Sequence, residues 1–159
     1  MEVIIENLKY FTEIILANEN GFIFLLAEFP FTNALKNSIQ YFEVKMNDTG
    51  VFVNFGLENT SNEQISMLFT FGVDPFRSPY FKGDIFGCGL VISPNESQES
   101  SYVFFTKNGI KIAKGDVVMI EPLERFWPSI GLQSCSIEST NFGNDLVTKP
   151  FCYDISKHV

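Results

Sequence analysis

Phe81-Lys82-Gly83-Asp84-Ile85-Phe86-Gly87-Cys88-Gly89-Leu90-Val91-Ile92 is followed by a polar run from Ser93 to Ser101, and then by Tyr102-Val103-Phe104-Phe105-Thr106-Lys107-Asn108-Gly109. Two apolar runs of strand length, rich in aromatic and β-branched residues and bounded by turn formers, read as strands. Asn108-Gly109 reads as a two-residue hairpin turn, because both positions tolerate φ > 0. Three strands in series follow, joined by a polar loop and then a tight turn. Gly87 and Gly89 inside the first strand mark a place where a neighbouring backbone or a large aromatic ring sits close.

Outward from this stretch the same grammar repeats. Ile14-Ile15-Leu16, the turn Asn18-Glu19-Asn20-Gly21 and Phe22-Ile23-Phe24-Leu25-Leu26 read as strand, turn and strand. Ile4, Leu8, Phe11 and Ile15 also recur at helical spacing, so a short helix before about Tyr10 stays open. Phe29-Pro30-Phe31-Thr32 ends a strand and turns the chain. Ile39 to Met46 is the next strand, with Phe42, Val44 and Met46 on one face and Tyr41, Glu43 and Lys45 on the other. Asn47-Asp48-Thr49-Gly50 turns it into Val51–Leu57. Strands are further expected over 65–71, 110–113, 117–120, 127–133, 139–142 and 150–155. About eleven to thirteen short strands with evenly spaced turn signals and little helix predict an all-β, two-layer antiparallel β-sandwich. The 159 residues suggest one domain, and no internal repeat or second domain is visible. The 18 phenylalanines suit a sheet-on-sheet interior.

Composition excludes several function classes. The net charge is −8, from 19 acidic and 11 basic residues, with no Lys/Arg cluster to displace counterions from nucleic acid. Nucleic acid is therefore not an expected partner. Neither a secretory leader nor an apolar run long enough for a membrane span is read in the sequence, so the expected location is the cytosol or nucleus, with no membrane partner expected. Cys88, Cys135 and Cys152 are widely spaced, without a C-x-x-C pair, so no zinc site or other metal site is expected. Cys88 and Cys152 lie in apolar contexts and read as buried thiols. Asn47-Asp48-Thr49, Asn59-Thr60-Ser61 and Asn95-Glu96-Ser97 match a glycosylation pattern but read as turns. The one histidine, His158, stands near the end of the chain, where residues are often mobile. It makes a poor base for a Ser-His-Asp or Cys-His arrangement. Gly87-Cys88-Gly89 lies within a strand rather than before a helix, so it is no phosphate cradle. Glu43 is alone on its strand and Glu121 and Glu124 flank Pro122, so the paired carboxylates of a glycosidase are missing. The expectation is a non-enzymatic binding protein without a cofactor. A lectin-like sandwich or, further off, a glycoside hydrolase using Glu43 are the alternatives.

The sequence of blocks carries a family resemblance. Tyr41-Phe42-Glu43-Val44-Lys45, Phe55-Gly56-Leu57, Gly83-Asp84-Ile85-Phe86-Gly87-Cys88-Gly89-Leu90 and Phe104-Phe105-Thr106-Lys107-Asn108-Gly109 stand in order. Phe126-Trp127-Pro128-Ser129-Ile130-Gly131-Leu132-Gln133-Ser134, Asn141-Phe142-Gly143 and Pro150-Phe151 with Asp154-Ile155 follow them. Over residues 27–155 the chain resembles a SPRY domain, and within that family the RanBPM-like (Ran-binding scaffold) subclass. The resemblance implies a concanavalin-like β-sandwich that binds a short peptide or loop of a partner protein through loops at one end. The subclass further implies an adaptor that recruits partners to a ubiquitin-ligase assembly of the CTLH/GID kind.

Carried over by position, the implied surface holds Phe29, Pro30 and Phe31, then Asn59 and Thr60, then Phe71 and Gly72, with Gln133, Ser134 and Cys135 completing the rim. Phe29 and Phe31 flank a proline, so at least one is expected to be exposed. Phe71 reads equally as core. Phe76, Arg77 and Tyr80 form a second candidate cluster in which Arg77 could anchor a carboxylate. Trp127 is expected to pack in the core. Gly72–Pro79 departs from the Gly- and Asp-rich segment of the subclass, and Ser93–Ser101 is longer than the family's connection. The helical modules that follow the domain in the scaffold subclass do not follow here, so a lone domain or a fragment is expected.

Overall fold

The structure, a computed structural model, describes residues 2–4, 11–14, 22–31, 38–70, 78–93, 100–118 and 124–158. Its strands in chain order are β1 Glu2–Ile4, β2 Phe11–Ile14, β3 Phe22–Ala27, β4 Ser38–Met46, β5 Phe52–Asn59 and β6 Gln64–Thr70. They continue as β7 Ser78–Pro79, β8 Ile85–Ile92, β9 Ser101–Lys107, β10 Ile110–Val118, β11 Phe126–Gln133 and β12 Ile137–Asn141. Two six-stranded sheets result. Sheet A runs β1-β4-β8-β9-β10 with β12 also on β4, and sheet B runs β2-β3-β11-β5-β6-β7. Pairing is antiparallel except at β1 with β4 and β6 with β7. The architecture is the all-β sandwich that the strand pattern predicts.

The opening stretch forms β8, β9 and β10. Asn108 (φ 50°) and Gly109 (φ 80°) make the left-handed turn between the last two. The two expected strands over 110–113 and 117–120 are one, β10, interrupted by irregularities between Lys111 and Ala113 and between Lys114 and Val117. The N-terminal ambiguity resolves partly: Glu2–Ile4 is a strand parallel to β4, while 5–10 lie outside the described residues.

Between the sheets, Phe42, Val44 and Met46 of β4 and Phe86, Cys88, Leu90 and Ile92 of β8 meet Val53, Phe55 and Leu57 of β5 and Phe126, Ile130 and Leu132 of β11. Rings carry much of this core. Phe42 lies 4.8 Å from Phe55 and 5.7 Å from Phe142, and Phe69 lies 4.3 Å from Phe86. Trp127 differs from expectation. Strand alternation turns it away from the core that takes Phe126, and it is half-buried on the other face.

The outer face of sheet A is not a solvent face. Ile39, Tyr41, Val91 and Phe104 are buried there beneath Tyr102, Phe151, Tyr153 and Ile155. The cover over β4 is Pro150–His158, of which 150–155 were expected to be a strand. It forms no ladder, crosses the sheet as an irregular segment, and ends in a 3-10 turn, Ile155–Lys157. It is attached by the Phe151 and Tyr153 rings and by its own N–H groups on Glu43, while the Cys152 side chain, expected to be buried, is exposed.

Gly87 and Gly89 make room for this second core. Gly87 sits between Glu43 and Thr106, and Gly89 between Tyr41 and Phe104. A Cβ on Gly87 would overlap the Tyr41 and Thr106 hydroxyls, and one on Gly89 would overlap the Phe104 ring. Tyr41 and Phe104 stack across the gap at 5.7 Å and 7°. Gly87→Ala and Gly89→Ala are expected each to destabilise the domain by about 1–3 kcal/mol through overpacking. Urea denaturation is the check, and an unchanged midpoint would mean that the rings are not held in place.

Candidate functional site

The strands run from one end of the sandwich to the other, and their register places the sequence candidates. Phe126, the first residue of β11, pairs with Asn59, and the Phe31 N–H donates to the Phe126 carbonyl at 2.7 Å. Phe29, Pro30, Phe31, Asn59 and Thr60 therefore share one end, the Phe31 end. Gln133, the last residue of β11, pairs with Phe52 and leads into Ser134 and Cys135. An eight-residue strand at about 3.3 Å per residue separates the two groups by about 23 Å. The structure does not bring all the candidates onto one rim. Phe71, Gly72, Phe76 and Arg77 lie outside the described residues.

At the Phe31 end most of the candidates are committed to the framework. Phe31 is 2% exposed and packs edge-on against Phe42 at 6.1 Å. It is a core residue, so a substitution there reports on stability rather than on recognition. Phe29, on the other side of Pro30, is 52% exposed. The Asn59 side chain closes its own turn, accepting the Ser61 N–H (3.0 Å) and the Glu63 N–H (2.9 Å). The Thr60 hydroxyl accepts the Arg125 N–H at 2.8 Å.

The opposite end is built from Asn47–Val51, Phe81–Asp84, Asn108-Gly109 and Ser134–Ser136; we call it the hairpin end. Its loops are cross-braced. The Gly50 N–H donates to the Tyr80 hydroxyl (2.6 Å), the Val51 N–H to the Gln133 carbonyl (2.8 Å) and the Ser136 N–H to Asp48 (2.6 Å). Asp84 accepts from the Phe81 N–H (2.8 Å) and the Asn108 amide (2.9 Å), and Lys107 stands 3.4 Å away. Ser134 has φ 57°, which turns the chain sharply after β11. Cys135 is half-buried, with its thiol donating to the Phe52 carbonyl at 3.3 Å; burial pushes that thiol up. Val51, Phe81 and Ile110 are each more than half exposed on this braced frame. Sequence reasoning did not select these three. Their signal was an apolar residue immediately beside a turn, at Gly50-Val51, Phe81-Lys82-Gly83 and Asn108-Gly109-Ile110.

The outer face of sheet A holds a further polar centre. Glu43 is buried, and the Tyr41 hydroxyl donates to its Oε1 at 2.9 Å. The Cys152 N–H donates to its Oε2 and the Tyr153 N–H to its Oε1, each at 2.9 Å. Thr106 contacts the Tyr41 hydroxyl at 2.6 Å. Burial, and then the Glu43 charge, push the Tyr41 phenol far up. A carboxylate sealed beneath Phe151–Tyr153 and spent on these donors does not have the access a glycosidase acid needs. His158, expected to be mobile, is fixed. Its Nε2 lies 2.9 Å from the Tyr102 hydroxyl, its Nδ1 lies 2.8 Å from the Tyr153 hydroxyl, and its ring lies 4.0 Å from that of Phe104.

Among the described residues no group of three His, Cys, Asp or Glu could hold a metal ion, and no helix is long and apolar enough to cross a membrane. No protein-family profile matches the chain, and no curated protein matches its sequence. Among solved structures, the chain is similar to the crystal structure of a human SPRY domain. That match has a TM-score of 0.51 and 21% identity, covering 82% of this chain and 90% of that one. The likeness is one of fold, and it identifies the sandwich as the SPRY type.

The His158 ring makes this surface sensitive to acid. Burial, and secondarily Lys111, hold its pKa below the ordinary 6.5. The unfolded chain therefore takes up the proton first as pH falls. The ring's contribution is complete above the unfolded value and is lost as pH drops through it toward the folded one. Between about pH 7.5 and 5 the native chain should lose more stability than a His158→Gln variant. Parallel denaturation midpoints for the two would show that His158 titrates as it does in the unfolded chain.

Proposed function

We propose that this chain is a non-enzymatic protein-interaction module of the SPRY family, and that its hairpin end binds a short peptide or loop of a partner protein. The observation that carries this reading is the placement of Val51, Phe81 and Ile110, more than half exposed, on turns braced by partly buried hydrogen bonds. Loops on a rigid scaffold are where sandwiches put recognition, and rigid anchors lose little entropy on binding. Burying one such side chain against a partner contributes about 1.5–3 kcal/mol, so the three anchors together supply a substantial share of the binding energy, with main-chain contacts supplying the rest. The amide of Gln133 and the backbone around Ser134 supply polar groups at the rim. At the Phe31 end, by contrast, Phe29 is the one large apolar side chain that is exposed among the described residues.

The finer reading rests on the sequence resemblance. The module belongs with the RanBPM-like subclass and recruits its partner to a ubiquitin-ligase assembly in the cytosol or nucleus. The net charge of −8 favours a partner segment that is neutral or basic around its apolar anchors.

The test compares three folded proteins by affinity capture with quantitative mass spectrometry: the native chain, a Val51→Asp/Phe81→Asp/Ile110→Asp variant and Phe29→Asp. Unchanged far-ultraviolet circular dichroism establishes folding. Partners should fall at least tenfold with the triple variant and persist with Phe29→Asp. The reverse pattern moves the site to the Phe31 end. RING-type subunits among the lost partners support the ligase reading, and their absence from that set removes it.

A further inference from the structure

The outer face of sheet A has the form of an occupied peptide site. Its floor is apolar and closed from solvent: Ile39, Tyr41, Val91 and Phe104. Its cover, Pro150–His158, is thin, and every residue of it is half-buried or exposed. Phe151 and Tyr153 point down, with Phe151 4.8 Å from Tyr41 and Tyr153 5.8 Å from Phe104, while Cys152 and Asp154 point out. No backbone ladder ties the cover to the sheet. Its main-chain anchors are the N–H groups of Cys152 and Tyr153 on the Glu43 carboxylate and, at its start, the Pro150 carbonyl, which accepts from the Asn141 amide at 3.4 Å. The connection from β12, Gly143 to Lys149, is a run of turns that is exposed from Asn144 onward except at the half-buried Leu146. An extended chain with alternate aromatic side chains in pockets and main-chain groups on a fixed acceptor is how domains read peptides.

A second feature abuts this cover. A groove of about 390 Å³ runs beside Phe151 and Cys152 over Lys45 and Ile85, and Glu43 forms part of its wall. The residue that holds the segment thus also lines an open groove. A displacing chain has a place to land next to the contact it must replace.

We propose that Pro150–His158 is an autoinhibitory strap over a second peptide-binding cleft, and that the cleft accepts in trans an extended segment with aromatic residues at positions i and i+2. The intervening main chain of that segment donates its N–H groups to Glu43. Tethering gives the strap an effective concentration in the millimolar range. A trans ligand therefore binds the intact chain weakly and the released chain well. This cleft lies on a different surface from the hairpin-end anchors, and its test does not depend on them.

The experiment uses the full chain with a protease site introduced at residues 145–147, and a fluorescently labelled synthetic peptide of residues 149–158 as the probe. After nicking, the two pieces stay together through the contacts above. The labelled peptide should exchange into the nicked protein, with anisotropy rising to saturation, and should bind the uncut protein at least tenfold more weakly. In nicked Glu43→Gln protein, where an amide replaces one acceptor oxygen, binding should fall at least tenfold while circular dichroism is unchanged. A peptide of the same composition with Phe151 and Tyr153 moved to adjacent positions should not compete. The proposal is overturned by a nicked protein that takes up no peptide, by equal binding to cut and uncut chains, or by equal binding of the native and rearranged peptides. If the nicked protein unfolds instead, the segment is part of the folding core and not a strap, which overturns it as well.

Discussion

Glu43 is a carboxylate on a strand that is buried on both faces, and much of the outer half of this molecule answers to that. An ion removed from water costs several kcal/mol unless donors replace its hydration. Here the donors are the Tyr41 hydroxyl and the N–H groups of Cys152 and Tyr153. Each makes a demand of its own. The Tyr41 hydroxyl must reach over β8, which leaves no room for a side chain at 87, and the Phe104 ring stacked on Tyr41 leaves none at 89. The Tyr41 hydroxyl gives its proton to Glu43, so its contact with Thr106 leaves Thr106 as donor. The chain must also return over β4 more than a hundred residues later, at 152 and 153.

That return explains why β4 is buried along both faces when neither sheet packs on its outer side. The inner face meets sheet B through rings, Phe42 on Phe55 and Phe142. The outer face meets rings again, Tyr41 on Phe104 and Phe151. The aromatic excess of the sequence is thus divided between two cores. The larger is continuous between the sheets, and the smaller is a single layer thick over part of one. Thin covers are the first parts of a fold to open, because few buried contacts hold them.

The fold was legible because its signals are local. β8, β9 and β10 follow from two apolar runs and one Asn-Gly turn, and the inner face of β4 follows from alternation at Phe42, Val44 and Met46. The close approach at Gly87 and Gly89 was also readable, since only a bulky neighbour requires two glycines in one strand. The outer face was not, because alternation assigns Tyr41, Glu43 and Lys45 to the solvent side and cannot register a cover that forms no ladder. Phe151 to Ile155 look like strand residues since they alternate, but they alternate over a pocketed surface instead of within a sheet. The candidate rim failed for a topological reason. β5 and β11 are antiparallel neighbours, so the residues after β5, Asn59 and Thr60, and those after β11, Gln133 to Cys135, must lie at opposite ends. Phe31 failed because proline fixes a turn without saying which flanking ring goes inward.

The two surfaces on which binding is argued are joined by rigid parts. Gly109, in the hairpin turn between Lys107 and Ile110, lies against Cys152, close enough that a Cβ there would meet the Cys152 carbonyl. Asn108 holds β8 in register, its side chain accepting the Ile85 N–H at 2.8 Å. Ile85 in turn forms part of the groove beside Phe151. A partner seated on Phe81 and Ile110 therefore presses on a turn whose other side is the start of Phe151–His158. Coupling between sites needs an element with two arrangements that both ligands bias. On the strap proposal, Pro150–His158 is the element that supplies two such arrangements, docked and released. Sandwich strands on either side of it do not. Any influence of the hairpin end on the proposed strap has a route in the close approach of Gly109 to Cys152, where a braced loop lies against that segment.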